Sequence, residues 1–192
     1  MKKREIKKLA IASVFVAVAV VGSLFSIPVF NSKCSPVQHM VNIVCSILLG
    51  PGYSLLAAFA AALIRNMLGI GSLMAFPGSM FGAFVSGVVY AKTKNIFATL
   101  IGEVFGTAVL GGLCAYPVAV FLMGQSAEGL AFYAYMIPFL ISTAAGAIIS
   151  GILLYKLKKS NIFLTFENNF PLKNIWFFDN KSLILQIKSN QQ

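Results

Sequence analysis

The chain has 192 residues, 58% of them hydrophobic and only 10% charged, and its mean hydropathy is +0.86. Soluble domains are about 45–50% apolar and about 25% charged, so this composition excludes a disordered chain, a disulfide scaffold and most soluble enzymes, and points to lipid as the solvent. The formal charge of +10 lies mostly at the two ends, which makes it a topology signal; no nucleic-acid partner is expected.

The N-terminus reads Met1-Lys2-Lys3-Arg4-Glu5-Ile6-Lys7-Lys8, followed by an apolar run from Leu9 to Phe30. A secretory signal has an apolar core of only about 7–15 residues, so this longer run is expected to be a first spanning helix. Further helices are expected over residues 36–49, 53–68, 77–92, 96–122 and 131–155. Gly50-Pro51-Gly52, the stretch from Gly69 to Pro77, and Gly124-Gln125-Ser126 supply the breaks between them. The fold class that results is an all-α integral membrane protein, a bundle of six transmembrane helices. Its core spans residues 1–159, and residues 160–192 form a cytoplasmic tail to which no function is assigned.

With both termini cytoplasmic, thirteen of the fifteen basic residues fall on the cytoplasmic side, and only Lys33 and Arg65 fall outside. The excess of Lys and Arg in cytoplasmic segments therefore orients the chain with its ends inward. Small residues recur at helix-packing spacing. Gly78/Gly82 and Gly102/Gly106 suit close packing within the bundle. Ser13/Ala17 and Ala19/Ser23, on the first helix, suit either such packing or a seat for another membrane protein. Cys34, Cys45 and Cys114 have no C-x-x-C spacing and read as small apolar fillers.

Polar groups inside a bilayer are costly and need a partner or a purpose. The topology places Gln38, His39 and Asn42 in the outer half of the second helix, and Arg65 and Asn66 at the outer end of the third. Phe76 and Ser79 start the fourth at the same level, and Tyr116 lies in the outer half of the fifth. Tyr133, Tyr135 and Pro138 open the sixth, where the two tyrosines suit either a cavity or an interfacial belt. Such a set suits a pocket open to the outside, with aromatic walls for a flat ring and amide and imidazole groups for its heteroatoms. Glu103, two turns into the fifth helix, must be protonated, paired with Arg65 or His39, or in contact with a ligand. Arg65 either shapes the field of the pocket or reaches the headgroups. No P-loop, zincin motif or nucleophile elbow is present, so no catalytic residue, metal or cofactor is expected, and uphill transport would draw on a partner or an ion gradient.

Several stretches carry a family resemblance: Ser35-Pro36-Val37-Gln38-His39-Met40-Val41-Asn42, Ile64-Arg65-Asn66-Met67-Leu68-Gly69, Ala75-Phe76-Pro77-Gly78-Ser79, Gly102-Glu103-Val104-Phe105-Gly106-Thr107 and Ala115-Tyr116-Pro117. Over residues 5–158 the chain resembles the substrate-binding (S) components of energy-coupling-factor transporters, the ThiW family in particular. The resemblance implies capture of a thiamine precursor, hydroxyethylthiazole, from outside. It also implies a transmembrane coupling (T) subunit and two ABC-type ATPases as partners, in the plasma membrane of a prokaryote. Related S components often carry Ala-x-x-x-Ala on the first helix; here Ser13/Ala17 and Ala19/Ser23 keep only the spacing. The rival expectation is a self-sufficient secondary transporter of a small heterocycle, which usually shows an inverted repeat; none is evident.

Overall fold

The computed structural model describes residues 3–29, 32–126 and 131–159. The tail expected over residues 160–192 lies outside them. Among the described residues the chain forms six helices and one short hairpin. Helix α1 is Lys3–Gly22, continued by a tighter turn over Ser23–Phe25, and the hairpin pairs β1 (Ile27–Val29) with β2 (Ser32–Cys34). Helices α2 (Pro36–Leu49), α3 (Pro51–Met67), α4 (Ala75–Thr93), α5 (Ile96–Leu122) and α6 (Met136–Lys159) follow. Glu5–Phe25, Ile96–Leu122 and Met136–Lys159 are each long and apolar enough to cross a membrane, whereas Pro36–Leu49 is apolar but shorter.

The first helix departs from expectation at both ends. It begins within the basic run and stops well before Phe30. The cause lies in Pro28, which has no N–H to donate to a helix and biases Ile27 toward extended backbone. The chain therefore turns into a strand, with Pro28 opposite Lys33 in the antiparallel ladder. The last helix also starts later than expected, at Met136, because residues 131–135 fold into a turn that ends with the Met136 N–H on the Tyr133 carbonyl.

The other boundaries follow local chemistry. Gly50, at φ +87°, separates α2 from α3 in a conformation that L side chains rarely adopt, and Pro51 starts α3 where its missing N–H costs nothing. Asn95 caps α5, its side-chain oxygen accepting from the backbone N–H groups of Phe97 and Ala98. Within α5 the backbone widens to π geometry over Gly106–Gly111 and again over Val118–Leu122, an irregularity often found beside functional sites.

Helices α4 and α5 meet through glycine. A Cβ on Gly106 would stand 2.7 Å from the Phe81 carbonyl oxygen and 3.0 Å from the Gly82 Cα, and one on Gly82 would stand 2.1 Å from Thr107 Oγ1 and 2.7 Å from Glu103 Oε1. The Gly82 side of this contact leaves the room in which the Glu103 carboxyl sits. Helix α2 lies at the centre of the bundle, buried from Val41 through Ile47, and packs on α6 through Ile43, Val44, Ile47, Ala147 and Leu154.

Candidate functional site

Six segments bring their polar residues to one end of the bundle: the hairpin strand β2, the start of α2, the end of α3, the start of α4, the middle of α5 and the first turns of α6. Together they enclose a cavity lined by Lys33, Ser35, Gln38, His39, Arg65, Ser72, Met74, Ala75, Gly78, Ser79, Thr107, Phe139 and Ser142. The space between these walls is about 410 Å³ with its open mouth included.

The floor is a hydrogen-bonded cluster around Glu103, which is fully buried. Its Oε1 accepts from Asn42 Nδ2 at 3.1 Å and from Thr107 Oγ1 at 3.4 Å, and it lies 3.2 Å from His39 Nδ1. Its Oε2 accepts from Ser86 Oγ at 3.1 Å. Asn42 Nδ2 also donates to the Ser79 carbonyl, which ties α2 to α4 at the cavity edge. Of the partners expected for Glu103, the structure supplies His39; no ion pair joins Glu103 to Arg65 among the described residues. The cluster continues away from the cavity through Ser86, Ser46 and Ser54, with Ser46 Oγ 2.9 Å from Ser86 Oγ and 2.8 Å from Ser54 Oγ. The far half of the bundle thus holds a buried chain of hydroxyls. Its members come from three different helices, α2, α3 and α4.

The opposite wall carries unpartnered groups. Arg65, 2% exposed, has no acceptor at Nε or Nη1, and Gln38, 3% exposed, has none at Nε2; the hydroxyl of Ser35 also lacks a partner. Arg65 therefore does not reach out to headgroups, one of its two expected roles. Groups buried in this way are normally satisfied, and Ser35, Gln38 and Arg65 all line the cavity. The aromatic wall is Phe139, whose ring edge would stand 3.0 Å from a Cβ on Gly78.

The cavity takes in Gln38, His39, Arg65 and Ser79 directly, and Asn42 and Glu103 through its floor. Three other expected residues do not line it. Asn66 turns its amide to the carbonyls of Ala62 and Ser72, closing the link from α3 to α4. The Phe76 ring lies 5.7 Å from that of Phe59 on α3. Tyr116, half-buried, lies past the cavity along α5. Asn66 and Phe76 lie close to lining residues in sequence but direct their side chains elsewhere, whereas Tyr116 lies farther along its helix. Tyr135 is buried at the base of α6 and donates to Gln125 Oε1 at 2.6 Å, so it does not act as an interfacial anchor.

Sequence reasoning missed Ser35, Thr107, Phe139 and Ser142. The Thr107 signal was present, four residues beyond Glu103 and so on its helical face. Ser142 lies two turns into α6 and accepts from the Ser35 N–H at 2.9 Å, a contact across 107 residues that no local pattern announces. On α1, Ala19 and Ser23 are buried, Ala19 against Val41 and Ala61. They are packing residues of this chain and cannot seat a partner, whereas Ser13 and Ala17 are exposed.

Comparison with known proteins is consistent with this architecture. The ThiW family model, described as thiamine-precursor transporter protein, matches residues 9–160. No curated protein matches the chain. Among solved structures it is similar in fold to the S component for biotin from an ECF-type ABC transporter. The two share 18% sequence identity at a TM-score of 0.61, over 86% of this chain and 98% of that one.

Proposed function

The chain belongs to the ThiW family of thiamine-precursor transporter proteins, and from that premise we propose that it is the substrate-binding (S) component of an energy-coupling-factor transporter, capturing a thiazole of the hydroxyethylthiazole type from outside the cell. The family is one of transporters, not enzymes. The observation that carries the proposal is the cavity itself: unpartnered buried groups of Gln38, Arg65 and Ser35 face a wall that includes Phe139, above a floor of His39 and Glu103. A small heteroaromatic ring with hydrogen-bonding substituents needs this combination of an aromatic face and a few directed polar groups. In this reading His39 contacts the ring, Glu103 orients the His39 ring, Asn42 holds Glu103 in place, and Ser79 bounds the cavity through its backbone carbonyl.

Residues 1–159 form the transmembrane substrate-binding unit and residues 160–192 a cytoplasmic tail. Six helices span the plasma membrane of a prokaryote with both termini inside, because that arrangement leaves thirteen of fifteen basic residues in the cytoplasm. The cavity then opens outward. The exposed small residues Ser13 and Ala17 of α1 provide the seat for a transmembrane coupling subunit, which itself carries two ABC-type ATPases. The chain has no P-loop, so ATP must be hydrolysed elsewhere.

Affinity purification from native membranes tests the assembly. Recovery of a coupling subunit and two ATPases with the wild-type chain, and their loss from a Ser13→Leu, Ala17→Leu double variant, is the expected result. Thiazole uptake by the lone chain in vesicles without any ATPase would contradict it and point to a secondary transporter.

A further inference from the structure

The acidic groups of the described chain do not neutralise Arg65. Among the described residues the only acidic side chains are Glu5 and Glu103. Glu5 accepts from the Tyr53 hydroxyl and lies beside Lys8. Tyr53 starts α3 and Arg65 ends it, so at about 1.5 Å rise per residue the two lie about 18 Å apart along the axis. Glu103 has both oxygens engaged by the donors described above and makes no ion pair with Arg65. Arg65 is nonetheless 2% exposed, with two guanidinium nitrogens that have no acceptor. A guanidinium withdrawn from water without a counter-charge is a costly arrangement, retained where something else supplies the missing acceptor.

The neighbours of Arg65 have the same bias. Gln38 Nε2 is a buried donor without an acceptor, and the Ser35 hydroxyl beside it is also free to donate. Lys33 adds a second cation at the mouth, with its Nζ 3.5 Å from the Ile70 carbonyl oxygen. The cavity is therefore polarised, with one wall cationic and rich in donors and a floor built on a carboxylate. A neutral alcohol oxygen could accept one of these donors, but it brings no charge to Arg65.

We propose that the transported thiamine precursor carries an oxyanion, a carboxylate or a phosphate, seated on Arg65 and Gln38 with Lys33 at the entrance, while its heteroaromatic ring lies toward Phe139 and His39. This inference rests on the thiazole reading and narrows it from the neutral alcohol to an anionic derivative. Charge-assisted bonds to a guanidinium are about twice as strong as neutral ones, so the preference is measurable.

The test is isothermal titration of the full-length protein in detergent with three probes: hydroxyethylthiazole, the corresponding thiazole-acetic acid, and the phosphate ester of the alcohol. The wild type is expected to bind the acid or the phosphate about tenfold or more tighter than the alcohol, and the tighter of the two identifies the oxyanion. Arg65→Gln is expected to bring that ratio close to one, and Arg65→Lys to leave an intermediate ratio. Equal or tighter binding of the alcohol by the wild type overturns the inference and leaves the thiazole reading standing. A ratio unchanged by Arg65→Gln overturns it as well. Binding of none of the three overturns both readings. The wild-type comparison decides the matter even where Arg65→Gln fails to fold.

Discussion

His39 Nδ1 and Glu103 Oε1 lie 3.2 Å apart across 64 residues of sequence, joining the first turns of α2 to the middle of α5 directly beneath the cavity. The contact links the fold to the site. Glu103 is held by Asn42, Ser86 and Thr107, whereas the His39 ring has its Nδ1 on the Glu103 carboxyl and also lines the cavity. A guest that bonds to His39 is thereby coupled to a cluster that spans α2, α4 and α5.

Replacing Glu103 by Gln should loosen that cluster. The amide brings donors to a place where Asn42, Thr107 and Ser86 already donate. Losing a hydrogen-bond acceptor and leaving buried donors unpaired costs about 2–3 kcal/mol. Thermal unfolding in detergent should show a lower Tm for Glu103→Gln, and an unchanged Tm would mean that the cluster contributes little to stability.

His39→Ala should act on binding. Loss of one directed bond from the cavity is expected to weaken thiazole affinity by about 10- to 100-fold. Titration of ligand into the purified variant measures this, and wild-type affinity would remove His39 from the contact set.

The glycines separate steric need from backbone need. At Gly82 a methyl group would collide with Thr107 and Glu103 side chains held in the cluster, so Gly82→Ala should cost about 3 kcal/mol through overpacking and lost hydrogen bonds. At Gly69 nothing lies within 4 Å of an added Cβ, but φ is +72°, so Gly69→Ala should cost only about 1 kcal/mol. Chemical denaturation of the two variants should rank them in that order, and the reverse ranking would place the strain in the loop and not at the helix contact.

Cys34 reports on the hairpin. Its thiol is buried and donates to the Pro138 carbonyl at 3.2 Å. Burial pushes the thiol up from its ordinary value, with the Ser142 hydroxyl partly opposing the shift. Because the thiolate is the reactive form, alkylation near neutral pH should be slow in the native protein and should accelerate as pH rises or the hairpin is displaced. Native-state labelling of the Cys45→Ser, Cys114→Ser variant at the rate of an unfolded control would show that the hairpin does not cover Cys34.

Much of this molecule was legible in its sequence, for identifiable reasons. Helix α2 was read with its boundaries intact because Pro36 starts it and Gly50 stops it. The α4–α5 packing followed from glycines at fourth-residue spacing. Gln38, His39 and Arg65 were placed together because helix direction fixes depth. What failed was azimuth and distance. Phe76 turns its ring to Phe59, Tyr116 lies beyond the cavity along α5, and Ala19 and Ser23 face inward. Ser35, Ser142 and the hydroxyl chain of Ser46, Ser54 and Ser86 become meaningful only through contacts between remote segments. The end of α1 was missed because hydrophobicity outweighed the local veto of Pro28.

The central claim, capture of a thiazole by this chain alone, is tested most directly by native mass spectrometry of the full-length protein released from detergent after incubation with hydroxyethylthiazole and its anionic derivatives. The expected spectrum shows a single adduct of thiazole mass per chain, weakened by His39→Ala and, for the anionic derivatives, by Arg65→Gln. A wild-type protein that stays unliganded with all of these compounds, or that carries an unrelated molecule none of them displaces, would contradict the claim.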